Sequence, residues 1–250
     1  MTDLLINNFN QKYPEYKHLD KIVKLLLCNF VNDVSLITQD IFTIAICHLP
    51  IDINILEQLY NSGFTFTKDQ ADIIAGNGFL DMLIKLHEWN IDCTNVGSMY
   101  ACIGNHFDVV KKLYEWKIPF DIHCANNSAM QGNTKMLKLL HFYNINCTSL
   151  GADYAATGNH IETLKYLHSL NINCSRKYLD KAAIRGHFDI IQKLYKWKMI
   201  TCENILLAIE YKPFNINLFF PIIKKGVVID DLKIIKNKEV RDDLYKLVYN

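Results

Sequence analysis

The sequence is poor in arginine, proline and glycine. Arg176, Arg185 and Arg241 are its only arginines, so bidentate recognition of phosphates or base edges is thinly supplied. Its 27 basic and 26 acidic side chains leave a formal net charge of +1, without the clustered basic excess that nucleic acid or anionic lipid requires. Five prolines and ten glycines in 250 residues argue against a turn-rich all-β fold and for helices. No apolar run approaches the roughly 18 residues of a membrane span. The opening Met1-Thr2-Asp3-Leu4-Leu5-Ile6 lacks the basic stretch and apolar core of a secretion signal. Together these absences predict a cytoplasmic protein with no nucleic-acid and no membrane partner. The length allows one large domain or two ordinary ones, and 50% hydrophobic residues suffice for a sizeable core.

What is present is a repeat, the feature to seek before individual elements. Gly78-Phe79-Leu80-Asp81, Asn105-His106-Phe107-Asp108, Gly132-Asn133-Thr134-Lys135, Asn159-His160-Ile161-Glu162 and Gly186-His187-Phe188-Asp189 follow one another at a step of 27 residues. The same step relates Leu59, Leu86, Leu113, Leu140, Leu167 and Leu194. Six units result, 40–66, 67–93, 94–120, 121–147, 148–174 and 175–201, flanked by degenerate material at 1–39 and 202–250.

Each unit parses into two helices. Asp40, Thr67, Thr94, Asp121, Thr148 and Ser175 stand at the predicted N-cap of the first, and all are capping types. Cys202 ends the series. Small pairs close the first helix: Ala101-Cys102, Ser128-Ala129, Ala155-Ala156 and Ala182-Ala183. The turn position holds only Gly or Asn, at 78, 105, 132, 159 and 186, which predicts a left-handed residue ending the helix. The second helix, such as 108–116, opens on an acid at Asp81, Asp108, Glu162 and Asp189, which suits the helix dipole, whereas Lys135 departs from the pattern. Val109, Val110 and Leu113 mark its buried face. In the flanks, helices are expected from Pro14 to Cys28, from Glu203 to Tyr211, from Asn217 to Lys225, and within 230–250.

These residues resemble the ankyrin repeat. An Ala-Ala pair, a Gly-His-Phe-Asp turn and then Ile-Ile-x-x-Leu make up the core of that motif, most plainly from Ala182 to Leu194. The unit is shorter than the roughly 33 residues of an ankyrin repeat and has no Thr-Pro-Leu-His segment. The resemblance therefore implies an all-α, ankyrin-like α-solenoid of stacked helix-turn-helix repeats without β-hairpin fingers. It is similar to the short variant of large DNA viruses of amoebae, and the abundant Lys, Ile and Asn suit an AT-rich genome. It also implies a non-enzymatic, monomeric scaffold in the host cytoplasm that binds a host or viral protein. An adaptor delivering a target to a ubiquitin-ligase-type machine through a terminal segment is the alternative.

The chemical candidates are weak. Equivalent positions in neighbouring units should lie about 8–10 Å apart, beyond the reach of about 7 Å for a disulfide, so Cys147 and Cys174 should not pair. No Cys-x-x-Cys spacing exists, and the eight cysteines read as small buried apolar residues with no metal. His123 and Cys124 point about 100° apart on a helix and do not form a nucleophile–base pair. No phosphate loop, zincin motif or nucleophile elbow occurs, so neither catalytic residues nor a cofactor are expected. Trp89, Trp116 and Trp197, with Tyr143, read as a packing ladder between units; the rival reading is a strip for stacking nucleobases.

Recognition is expected where the repeat varies, in the first turns of helix one and just before the turn. The candidates are Lys68, Asp69, Gln70, Asn95, Ser98, Ile103, His123, Met130, Gln131, Arg176, Tyr178 and Arg185. By the resemblance, such positions line the ankyrin groove.

Overall fold

The computed structural model describes residues 2–21, 23–24, 36–175, 178, 181–182, 185–201, 205–206, 209–210, 232 and 235–249. Among them are thirteen α-helices, one 3-10 turn and no strand. The helices are α1 (Thr2–Lys12), α2 (Gln39–Ile46), α3 (Ile53–Asn61), α4 (Lys68–Gly76), α5 (Leu80–Glu88), α6 (Asn95–Ile103), α7 (Phe107–Glu115), α8 (Ile122–Met130), α9 (Thr134–Phe142), α10 (Ser149–Thr157), α11 (Ile161–Ser169), α12 (Phe188–Lys196) and α13 (Lys238–Tyr249). The 27-residue step is visible in the starts of α4, α6, α8 and α10, and again in the starts of α3, α5, α7, α9, α11 and α12.

The chain divides into two compact units, 1–124 and 125–250. In the first, first helices pack on first helices (α2 on α4, α4 on α6) and second helices on second helices (α3 on α5). Leu59, Leu86 and Leu113 are each fully buried, and burial of such a side chain is worth about 1.5–3 kcal/mol. In the second unit, α10 packs against α11 and α9 against α11, and Leu140, Leu167 and Leu194 repeat the same core. The small pairs behave as their size dictates. Ala101, Cys102, Ser128, Ala129, Ala155, Ala156 and Ala182 are all buried, which permits close helix approach.

The first repeat departs from the register. The N-cap of α2 is Thr38, whose hydroxyl accepts from Ile41 N, and Asp40 lies inside the first turn instead of at the cap. Helix two also begins one residue earlier than expected, at Phe107, after a His106 that makes no side-chain cap bond. In the flanks, Pro14–Tyr16 is a 3-10 turn, Val23 is buried, and α13 covers most of the charged C-terminal segment. The expected segment 217–225, along with Ile22, Leu25, Leu26 and Cys28, lies outside the described residues.

Candidate interaction surface

A buried polar side chain in the middle of helix one fixes the start of the next helix one. Asp72 of α4 accepts from Thr94 N at 2.6 Å, from Thr94 Oγ1 at 2.7 Å and from Gly97 N at 3.0 Å. In the second unit Asn126 Oδ1 accepts from Thr148 N at 3.0 Å and Thr148 Oγ1 at 3.1 Å. Asp153 accepts from Ser175 N at 2.6 Å and Ser175 Oγ at 2.8 Å. Each pair is 22 residues apart, so the helix-start donors left over by backbone geometry are satisfied from the preceding repeat. The predicted caps are thus used in two directions. Thr94 Oγ1 also accepts from Val96 N, whereas Thr148 makes no cap bond to its own helix. Gly97 leaves room for the carboxylate, since a Cβ there would lie 2.6 Å from Asp72 Oδ1.

Thr67 follows another rule. It forms a capping box with Gln70, and the Gln70 amide donates to Gln39 Oε1 at 2.8 Å and Thr43 Oγ1 at 2.9 Å. The register of 72, 126 and 153 is legible in the sequence at the 27-residue step through helix one, apart from the capping positions. Asp180 shares that register and lies outside the described residues.

The turns are left-handed as expected: φ is +66° at Asn105, +63° at Asn159, and positive at Gly78, Gly132 and Gly186. The His106 ring fills the space over Gly78, and the His160 ring that over Gly132. His187 Nε2 lies 2.9 Å from Thr157 O, which ties this turn to the preceding repeat. A second left-handed series, absent from the sequence reading, ends helix two at Gly63, Asn90, Lys117, Asn144, Asn171 and Lys198.

On the other face, rings stack across three repeat boundaries. Tyr60 stacks on Trp89 at 4.0 Å, His87 on Trp116 at 4.0 Å and His168 on Trp197 at 3.9 Å. These are packing contacts between repeats, as the ladder reading has it. The helix-two imidazoles are oriented by a partner five residues on: His87 by Asp92 at 2.5 Å, His141 by Asn146 at 2.7 Å, His168 by Asn173 at 2.7 Å.

Of the predicted recognition residues, Lys68, Asp69, Asn95, His123, Met130, Gln131 and Arg185 are exposed, and Ile103 and Tyr178 half-buried. Gln70 and Ser98 are buried, so neither is presented to a partner. Gln70 is held in the capping box, and Ser98 is fully buried on α6. Arg176 lies outside the described residues. Two cavities gather several of the rest. In the first unit, a 320 Å³ cavity is lined by Ile73, Gly76, Tyr100 and Ile103, with Cys47, Asn77 and Gly104. In the second, another of 320 Å³ is lined by Met130, Tyr154, Thr157, Gly158, Tyr178, Lys181 and Arg185. Tyr100 and Tyr154 occupy one register, as do Ile103, Met130 and Thr157, so both cavities open beside the last turn of helix one. Tyr100 and Tyr154 were absent from the sequence candidates, although both lie where helix one varies.

Most of the described thiols are held protonated by their surroundings, while the hydrogen bond with Cys102 lowers Cys124. Burial pushes Cys93 and Cys174 up to about 12 and Cys147 to about 11. The hydrogen bond with Cys124, then burial, raises Cys102. A raised thiol is a poor nucleophile and a poor metal ligand at neutral pH. Among the described residues no group of His, Cys, Asp and Glu could hold a metal, and no helix is long and apolar enough to cross a membrane.

Helix pairs at a fixed step, Ala-Ala closing the first helix, a left-handed turn and a buried Ile-Ile-x-x-Leu face are most complete between 152 and 194. That segment, residues 152–194, matches the family model for ankyrin repeats (many copies). Residues 152–194 are thus an ankyrin-repeat segment. Among curated proteins none matches it. Ankyrin repeats are in general protein–protein interaction modules, and the family is typically non-enzymatic.

Proposed function

We propose that the chain is a protein-interaction scaffold that reads a protein partner along the ends and outer faces of its first helices. The observation that carries this reading is the pair of equivalent cavities beside Tyr100 and Tyr154. Ankyrin packing recurs with fixed residues at Leu86, Leu113, Leu140 and Leu167, while the residues around the two cavities change from repeat to repeat. Constancy where units pack and variation where the surface is open is the pattern of a reader. The six repeats at 40–201 supply the array, and its stability comes from neighbour interfaces. The partner is a polypeptide of the compartment in which the chain resides, the cytoplasm on this reading, and the chain acts as a monomer without a chemical step.

Affinity capture with the full chain, followed by substitution of exposed groove residues, tests the proposal. Tyr100→Ala and Tyr154→Ala should each weaken retention of the same captured protein, with unchanged helical content. Surface changes on helix two, such as Lys111→Ala, should leave it intact. Equal loss from both faces, or no specific capture, would overturn it.

A further inference from the structure

The two cavities share a register and differ in chemistry. Ile73 and Tyr100 of the first correspond to Tyr154 and Lys181 of the second, and Asn77 and Gly104 correspond to Gly158 and Arg185. The first cavity is therefore uncharged, while the second holds two cations. Lys181 and Arg185 are each helical and four residues apart in sequence, the spacing of one helix face, and both are exposed. Arg185 Nη1 donates to Thr157 O at 2.8 Å, which pins the guanidinium at the cavity edge. The Lys181 ammonium lies 4.3 Å from the centroid of the Tyr178 ring, a cation–π contact that orients it. Among the described residues no acid lines this cavity. Asp153 feels the Lys181 charge, but it is buried and already accepts from both Ser175 donors.

Resting on the scaffold reading, we propose that this cavity seats a carboxylate side chain of the partner, Glu or Asp, between Lys181 and Arg185, with a large apolar neighbour against Met130 and Tyr154. A planar guanidinium beside an ammonium matches a carboxylate. Opposite charges fix register as well as adding affinity. The volume of 320 Å³ lies at the small end of ligand pockets, which suits one or two side chains.

The test uses the full chain on a peptide array in which each peptide containing Glu or Asp is paired with its Gln or Asn twin. The wild-type chain should hold acidic peptides with an apolar neighbour about tenfold or more over their twins, since hydrogen bonds to charged groups carry that much discrimination. Added salt should shrink the ratio. Lys181→Gln with Arg185→Gln should abolish the preference at unchanged melting midpoint, and Lys181→Glu with Arg185→Glu should transfer it to Lys-containing peptides. If peptides bind but the twins are held equally, or if the preference survives the double Gln change, the carboxylate seat is wrong and the scaffold reading stands. If no peptide is held and the lysate capture also fails, both are wrong.

Discussion

Asp72 and Thr94 are joined across a repeat boundary by two hydrogen bonds, one to the Thr94 amide at 2.6 Å and one to its hydroxyl at 2.7 Å. The side chain that starts one helix is thereby locked by the middle of the previous one. The same joint recurs at Asn126 with Thr148 and at Asp153 with Ser175. It is a polar bond between stacked repeats, and it fixes the chain at Thr94, Thr148 and Ser175.

Asp72→Ala should be costly. It strands the Thr94 amide, the Thr94 hydroxyl and the Gly97 amide, and a buried polar group without a partner costs about 1–3 kcal/mol. Asp72→Asn keeps an acceptor, as Asn126 shows, and should cost far less. Urea unfolding of the two variants measures the difference; equal losses would mean that the joint contributes little.

One repeat breaks the pattern and implies a compensation. Met99 stands in the register of Asp72 and Asn126, and the cap 22 residues on is Asp121 rather than Thr or Ser. Asp121 receives the His123 amide at 2.9 Å and caps its own helix. An acid at 99 would face an acid at 121. Met99→Asp alone should therefore destabilise, and Met99→Asp with Asp121→Thr should recover much of the loss, with a coupling of about 0.5–3 kcal/mol. Strict additivity of the two changes in a double-mutant cycle would show that the two positions do not meet.

Asp153 gives a pH signature. Burial raises its pKa from 3.8, against the lowering effects of Ser175 and Lys181. The folded chain therefore holds this proton to higher pH than the unfolded chain does. Stability from the group is fully present below 3.8 and falls as pH rises through the raised value. The advantage of wild type over Asp153→Asn should accordingly shrink as pH rises above 3.8. An advantage that grows over that range would mean that the pKa is lowered in the fold.

The left-handed positions were half legible. Gly or Asn at 78, 105, 132, 159 and 186 announces the turn, because few other residues tolerate positive φ. The series at 63, 90, 117, 144, 171 and 198 was hidden by Lys117 and Lys198, whose side chains do not signal that conformation. Lys117, at φ +60°, should accept Asn or Gly with a gain of about 1 kcal/mol. Asn105→Gly should be neutral or stabilising, and Asn105→Val should cost at least about 1 kcal/mol. Thermal midpoints decide, and a clear loss from Lys117→Gly would require that lysine to pay its strain back through a contact.

Other parts of the molecule resist sequence reading for physical reasons. The Leu and Ala registers, the turns and the Trp ladder repeat because packing repeats, so a period exposes them. Gln70 and Ser98 stand where the repeat varies, which predicts surface, yet both are buried. Variation at position 70 reflects different local solutions to the same helix start: a capping box at Thr67, an Asp72 carboxylate at Thr94; Ser98 stands in the small-residue register of Ala71, Ala125 and Ala152. The cavity lysine and arginine at 181 and 185 show the reverse. Arg185 was visible as a varying residue, but only the fold brings Lys181, Tyr154 and Met130 beside it.

Register also predicts which deletions the chain survives. Removing 148–174 joins Cys147 to Ser175. Asn126, which now accepts from Thr148, would meet the Ser175 amide and hydroxyl that Asp153 now receives. The His141 contact with Asn146 stays within the preceding repeat, and Leu140 would face Leu194 in place of Leu167. The shortened chain should remain helical and melt cooperatively at a lower midpoint, because one neighbour interface is lost. Removing only 148–160 joins Cys147 to Ile161, puts a second helix where a first belongs, and deletes Asp153 while leaving Ser175 unpartnered. That chain should lose its cooperative transition. Circular dichroism melts of the two compare them directly, and equal tolerance would mean that the 27-residue step does not govern the packing.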